Sequence, residues 1–222
     1  MAETANARVR ADDESRIDSV MGWFQLNSKQ ALAIVGVIVL VIGGWWFYSR
    51  SQTLKTAKAE KAYFQALQSI GSGNTPLAIS DLRKMTVRYE GTRPAVQATM
   101  ALSQLLYEQG KYADGLVELN KVDEGGARKA FMGGSLHRLK AAGLEQQGKF
   151  AEAAAEYGKA AEASTFPADR SLYKGDEARA LTSAGKRAEA KAIWTELAQD
   201  DQSAVASEAR VRLGELSATV VR

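Results

Sequence analysis

A glycine-containing turn signature that recurs four times at nearly constant spacing constrains the fold of this chain more than any other feature. The signature is centred on Gly73, Gly110, Gly148 and Gly185, with steps of 37, 38 and 37 residues. A repeat of this length is typical of stacked helical hairpins, each of which needs its neighbours to bury its apolar face. The spacing therefore predicts an α-solenoid of about four hairpins.

The third hairpin fits the tetratricopeptide pattern best. Its turn glycine and the aromatic and small residues that follow it are Gly148, Phe150, Ala153, Tyr157 and Ala160. Small residues let helices approach closely, and aromatic residues fill the gaps between hairpins. A break is expected at residues 123–126, and an amphipathic helix over residues 203–216 is expected to close the stack.

One apolar run precedes the repeats. Residues 31–48 carry no charge and end in an aromatic cluster at residues 45–48. As a helix, this run spans about 27 Å, close to the thickness of the hydrocarbon core of a bilayer. Aromatic residues and Arg50 lie where a signal peptide would be cleaved. The run therefore predicts an uncleaved membrane anchor, in preference to a signal peptide or a buried core helix.

These patterns divide the chain into three parts. We expect an N-terminal tail over residues 1–28, a transmembrane helix over residues 29–50 and a tetratricopeptide-like repeat domain over residues 51–222. Apolar spacing near residues 15–24 predicts a short amphipathic helix in the tail. The predicted fold class is all-α, with one N-terminal transmembrane helix, a solenoid of about four hairpins and a C-terminal capping helix.

The charges that flank the anchor leave its orientation open. Four cations precede the apolar run and are offset by five acidic residues, whereas Arg50, Lys55, Lys58 and Lys61 follow it. Under the positive-inside rule this balance favours a cytoplasmic repeat domain. Large domains, however, are exported largely regardless of flanking charge.

The sequence provides little that supports catalysis. There is no cysteine, which excludes disulfides, thiolate catalysis and cysteine-ligated metals. His137 is the single histidine, has no partner at metal or triad spacing, and is expected at a surface or groove position on a helix. The net charge of +3 is spread along the helices without a basic stripe, which argues against nucleic-acid binding. We therefore predict no enzyme activity, no cofactor and no metal site.

The first helix of each tetratricopeptide hairpin lines the concave face of the stack, so these helices are expected to form a protein-binding groove. Projecting the turn spacing onto them selects Gln97, Met100, Gln104, Tyr107, Arg138, Glu145 and Arg179. This set is mixed in character. It lacks the cluster of lysine and asparagine that clamps a peptide carboxylate, which argues against a receptor for chaperone tails.

Four segments of the chain carry a resemblance to a known family. They are residues 23–27, the end of the anchor at 44–46, the helix at 59–63, and residues 177–181 leading to Gly185 and Trp194. In these segments and in its overall order, the chain resembles the YfgM-like ancillary subunits of the bacterial SecYEG translocon. The resemblance implies a single-pass protein of the bacterial inner (cytoplasmic) membrane, with its repeat domain in the periplasm. It also implies the SecYEG translocon and a periplasmic chaperone as partners.

The function expected from this resemblance is a membrane-anchored adaptor that links emerging secreted chains to periplasmic chaperones. An alternative is an envelope scaffold that coordinates outer-membrane or cell-wall assembly without contacting the translocon. A third interpretation, in line with the flanking charges, is a cytoplasmic scaffold tethered at the membrane.

Overall fold

The structure, a computed structural model, describes residues 28–218. These residues form ten helices, and no strand occurs among them, so the predicted all-α class is confirmed. The helices are α1 (Ser28–Gly71), α2 (Thr75–Arg88), α3 (Arg93–Glu108), α4 (Tyr112–Leu119), α5 (Glu124–Lys129), α6 (Gly133–Glu145), α7 (Phe150–Ala163), α8 (Pro167–Ser183), α9 (Arg187–Gln199) and α10 (Ala206–Ala218). The amphipathic helix expected in the tail lies outside the described residues.

Helix α1 is a continuous helix of 44 residues that includes the apolar run. Its segment Leu32–Gly71 contains a stretch that is apolar enough to cross a membrane, and no residue of that stretch is buried within the protein. A helix this long and this apolar can cross a bilayer once.

The chain forms two compact units, Met1–Leu54 and Lys55–Arg222. In the second unit, helices that follow one another in sequence pack together: α2 on α3, α3 on α4, α6 on α7, α7 on α8, α8 on α9 and α9 on α10. Helix α6 also contacts α3 and α4, which joins the second hairpin to the third. The result is a stack of hairpins closed by α10.

A glycine in the left-handed conformation follows the first helix of each hairpin. Gly73, Gly110, Gly148 and Gly185 all have φ between 72° and 77°. A residue with a Cβ atom pays about 1–2 kcal/mol for this conformation, and glycine avoids that cost. The recurring signature is therefore a recurring helix-ending turn. Phe131, with φ of 59°, is the one residue other than glycine that has a positive φ within residues 28–218.

Prolines and polar side chains mark where several helices begin. Helices α2, α3 and α8 each have a proline in the first turn, where the missing N–H has no partner to lose. The side chains of Asn74 and Thr92 accept hydrogen bonds from the backbone N–H groups of Leu77 and Ala95, at 3.2 and 3.3 Å. These caps satisfy N–H groups that the helix itself leaves unpaired.

The break expected at residues 123–126 is instead the start of the short helix α5. The carboxylate of Asp123 accepts hydrogen bonds from the backbone N–H groups of Gly125 and Gly126, at 3.2 and 2.8 Å. This cap supplies the acceptor that the first turn lacks, and it offsets the low helix propensity of the two glycines. The expectation of a break was therefore wrong.

Apolar residues from successive hairpins form the core of the second unit. Ala59 and Ala66, from the carboxyl-terminal part of α1, are buried with Leu82 and Leu102. The core of the last two hairpins contains Trp194, whose exposed fraction is 1%. Each part of the core thus draws side chains from more than one hairpin, as expected of a repeat stack.

Candidate functional site

The residues predicted to line the groove lie on the first helices of three hairpins. Gln97, Met100, Gln104 and Tyr107 lie on α3, Arg138 and Glu145 lie on α6, and Arg179 lies on α8. Gln104 and Arg138 are exposed, and the other five are half-buried. These first helices are neighbours. Helix α3 contacts α6, and a Cβ on Gly134 of α6 would lie 3.0 Å from the ring of Tyr173 on α8.

Tyr107 fills the space between the second and third hairpins. Its hydroxyl donates a hydrogen bond to the carbonyl oxygen of Leu139 at 3.2 Å. A Cβ at Gly143 would lie 2.2 Å from the Tyr107 oxygen, and a Cβ at Gly115 would lie 2.4 Å from its Cε1 atom. Burial raises the pKa of the Tyr107 hydroxyl, so this group remains a donor at neutral pH. Tyr107 therefore joins two hairpins in addition to bordering the predicted groove.

Glu145 and Met100 also contact their own fold. The Tyr157 hydroxyl donates a hydrogen bond to Glu145 Oε2 at 2.8 Å. Burial is the main cause that raises the pKa of Tyr157, and this hydrogen bond is the second. Met100 packs against the core residues Leu119 and Leu136. These two candidates therefore contribute to the packing of the repeat unit itself.

A chain of ion pairs, here called the charge ladder, runs across α6, α8 and α10. It consists of Arg138, Asp176, Arg179, Glu208 and Arg212. Nitrogen–oxygen distances are 3.9 Å between Arg138 and Asp176, 2.7 Å between Arg179 and Glu208, and 3.6 Å between Arg212 and Glu208. Burial alone would lower the pKa of Arg179, but its two carboxylate partners raise it. Arg179 therefore stays charged between its two carboxylate partners, and the ladder is partly open to solvent.

Two of the five ladder residues, Arg138 and Arg179, are among the candidates predicted from the sequence, whereas Asp176, Glu208 and Arg212 are not. A local signal was present, because Asp176 precedes Arg179 by three positions and Glu208 precedes Arg212 by four. Opposite charges at these spacings are neighbours on a helix surface. The pairing of Arg179 with Glu208 joins two helices, and no local pattern indicates it.

A cavity of about 400 Å³ lies at the α10 end of the ladder. Its lining includes Arg179, Arg187, Trp194, Arg212 and Leu216. The cavity combines guanidinium groups with the apolar side chains of a tryptophan and a leucine. Such a surface suits a polypeptide segment that carries both acidic and apolar side chains.

His137 is buried, with an exposed fraction of 4%, so the expectation of a surface or groove position was wrong. Its Nδ1 lies 2.8 Å from Glu156 Oε2 on α7, and Lys159 Nζ donates to the other oxygen of that carboxylate at 2.6 Å. Burial would raise the pKa of Glu156, but these two hydrogen bonds outweigh it and lower the pKa to about 2. The histidine therefore holds α6 against α7. No cluster of potential metal ligands occurs in residues 28–218.

Comparison with known protein families confirms the repeat architecture. Residues 22–218 match the family described as the tetratricopeptide repeat-like domain, which includes the apolar helix, all four hairpins and α10. A comparison with curated proteins gave no match. Repeats of this type present extended surfaces that bind other proteins. On the strength of a match over most of its length, the chain belongs to the tetratricopeptide repeat-like domain family.

Proposed function

We propose that the protein is a membrane-anchored, non-enzymatic adaptor that binds a polypeptide segment along α3, α6 and α8. The observation that carries this proposal is the charge ladder, which places five charged side chains of alternating sign across the first helices α6 and α8 and the closing helix α10. Charges arranged in this way select a partner with a complementary pattern. The exposed side chains of Gln104 and Arg138 provide contacts beside it.

In this proposal, residues 29–50 cross the bacterial inner membrane and residues 51–222 hold the binding surface in the periplasm. The partners are the SecYEG translocon and a periplasmic chaperone that receives emerging chains. Support for these identities comes from the resemblance of the anchor and the first repeat helix to YfgM-like subunits. Tethering favours such a role because it raises the effective concentration of a bound chaperone near the translocon to about the millimolar range.

Site-specific photocrosslinking in cells tests the groove. A photoreactive amino acid replaces Gln104 or Arg138 on the first helices, and a matched control replaces the exposed Glu152 on α7, a second helix. We expect adducts with a periplasmic chaperone or a secreted chain from the two groove positions and none from the control. Equal adducts from all three positions would refute a groove on the first helices.

Two further measurements test the location and the partner. A photocrosslinker at Leu40, an exposed position in the apolar run, should capture a translocon subunit. Capture of cell-wall enzymes alone would favour the envelope scaffold instead. Protease added to spheroplasts should digest the repeat unit. Digestion that requires lysis of the cytoplasmic membrane would place this unit in the cytoplasm and reject the adaptor role.

A further inference from the structure

Phe131 occupies a backbone conformation that this chain otherwise assigns to glycine. Its φ is 59°, and five glycines hold the other positive φ values in the described part of the chain. The turn ends α5 with two hydrogen bonds, from the Phe131 N–H to the Arg128 carbonyl at 3.0 Å and from the Met132 N–H to the Ala127 carbonyl at 2.9 Å. This geometry is the Schellman motif, in which glycine is the favoured residue at the position of Phe131.

The side chain of Phe131 does not compensate for the strain in its backbone. Its exposed fraction is 75%, so the ring gains little from burial within the chain. A phenylalanine here thus costs folding free energy through its backbone and exposes apolar surface to water. Strained residues and local violations of sequence preference concentrate at functional sites. Contact between the Phe131 ring and a partner would explain why phenylalanine occupies this position.

A second exposed phenylalanine lies at the same end of the third hairpin. Phe166 occupies the N-cap position of α8, has an exposed fraction of 63% and makes no capping hydrogen bond. Serine, threonine, aspartate or asparagine would supply that bond. A Cβ at Gly133 would lie 3.1 Å from the Cβ of Ala163, so the start of α6 lies close to the end of α7. Phe131 precedes this contact by two residues and Phe166 follows it by three.

The charges beside the two rings are mainly positive. Arg128 and Lys129 are exposed in the last turn of α5, and neither forms an ion pair with any described residue. Arg170, in the first turn of α8, donates to the backbone carbonyl of Ser164 at 3.2 Å and is also exposed. Asp169 is the one carboxylate within residues 128–131 and 166–170.

We propose that Phe131 and Phe166, together with Arg128, Lys129 and Arg170, form an aromatic edge that binds a polypeptide segment of alternating apolar and acidic residues. The two rings take the apolar side chains, and the three cations pair with the carboxylates. Aromatic and arginine side chains are the residue types that dominate binding energy at protein interfaces. The edge rests on the proposed protein-binding function and adds a contact outside the groove.

Fluorescence anisotropy of a labelled peptide tests the edge. The probe is a 12-residue peptide, on the order of one short interface segment, that alternates leucine or phenylalanine with aspartate, and a control peptide carries lysine in place of each aspartate. The full-length protein is held in nanodiscs of phosphatidylcholine. We expect the acidic peptide to bind at least about tenfold more tightly than the lysine peptide.

Two substitutions separate binding from folding. Phe131→Gly should weaken binding about tenfold while raising Tm by about 2–4 °C, because it removes the backbone strain. Phe166→Ser should also weaken binding while supplying a helix cap. Val117→Ser is the matched control, since Val117 is an exposed apolar residue on α4, and it should leave peptide affinity unchanged.

Several outcomes would overturn the aromatic edge. They are wild-type affinity in Phe131→Gly, equal affinity for the two peptides, or a Tm that falls on Phe131→Gly. Binding to vesicles of phosphatidylglycerol without peptide affinity would assign the edge to a lipid surface and also reject the proposal. Groove crosslinks from Gln104 and Arg138 that persist when the edge test fails would leave the proposed function standing. Peptide binding without those crosslinks would reject the groove alone.

Discussion

Replacing Gly143 with alanine tests whether Tyr107 sets the distance between the second and third hairpins. The added Cβ would lie 2.2 Å from the Tyr107 hydroxyl oxygen and 2.6 Å from Cζ. The ring must therefore move, which strains the packing and weakens its hydrogen bond to Leu139. Overpacking costs about 1–3 kcal/mol and the hydrogen bond about 1 kcal/mol. Alanine regains about 1 kcal/mol in helix propensity, so we expect a net loss of about 1–3 kcal/mol.

The same substitution should have the opposite sign when Tyr107 is absent. In a Tyr107→Ala background, the contacts at 2.2 and 2.6 Å no longer exist, and the remaining contact with Leu116 Cγ at 3.1 Å can relax into the space that the ring has left. Gly143→Ala then partly fills that space and keeps its gain in helix propensity. We expect it to stabilise that variant by about 1 kcal/mol. The coupling between the two positions should therefore be about 2–4 kcal/mol, as for residues in direct contact.

Urea unfolding of the full-length protein in detergent micelles, followed by far-UV circular dichroism, measures the four members of this cycle. Gly214→Ala on α10 is the control, because a Cβ there would meet no atom within 4 Å. It should stabilise the protein by about 1 kcal/mol in both backgrounds. If Gly143→Ala had the same effect with and without Tyr107, Tyr107 would not be the residue that requires glycine at this position.

Three further predictions concern the core, the Glu156 carboxylate and the charge ladder. Trp194→Ala should cost about 3–5 kcal/mol, because the side chain is fully enclosed, and an unchanged urea midpoint would contradict this. The stability that Glu156 contributes should be complete above about pH 4.5 and decline as the pH falls towards 2, since its pKa is lowered in the folded state from 4.5 to about 2. Glu156→Gln should therefore flatten the acid limb of the Tm–pH profile, and an unaltered limb would refute the pairing with His137. Glu208→Gln should lower the free energy of unfolding by about 0.5–1 kcal/mol at low salt. The loss should shrink in 1 M salt, because a Debye length of about 3 Å screens the ion pair with Arg179. A loss that is independent of salt would argue against an electrostatic origin.

The hairpin organisation could be predicted from sequence because its signals are local. Glycine is the residue most favoured at a left-handed helix end, as at Gly110 and Gly148, and prolines mark the starts of several helices. The predicted starts of α4, α7 and α9 agree with the structure for this reason. The break predicted at residues 123–126 was wrong, because the capping carboxylate of Asp123 outweighs the low helix propensity of Gly125 and Gly126.

The contacts between helices could not be predicted in the same way. Tyr107 on α3 packs against Gly115 on the next helix, α4, and against Gly143 on α6, three helices later. His137 finds its partner Glu156 on the next helix, where no spacing rule within one helix applies. Helical periodicity indicates which face is buried, whereas the partner across that face depends on how two helices pack.

The charge ladder has a consequence for how long a partner stays bound. A foreign carboxylate that approaches Arg179 must take the place of Glu208, and the number of ion pairs is the same before and after the exchange. Because one ion pair replaces another, the exchange changes the free energy little. During the exchange, the Arg179 guanidinium also keeps its ion pair with Asp176. If the proposed binding surface includes the ladder, we expect it to discriminate among segments by their charge pattern and to release them quickly, which favours brief transfer of a partner over long-term retention.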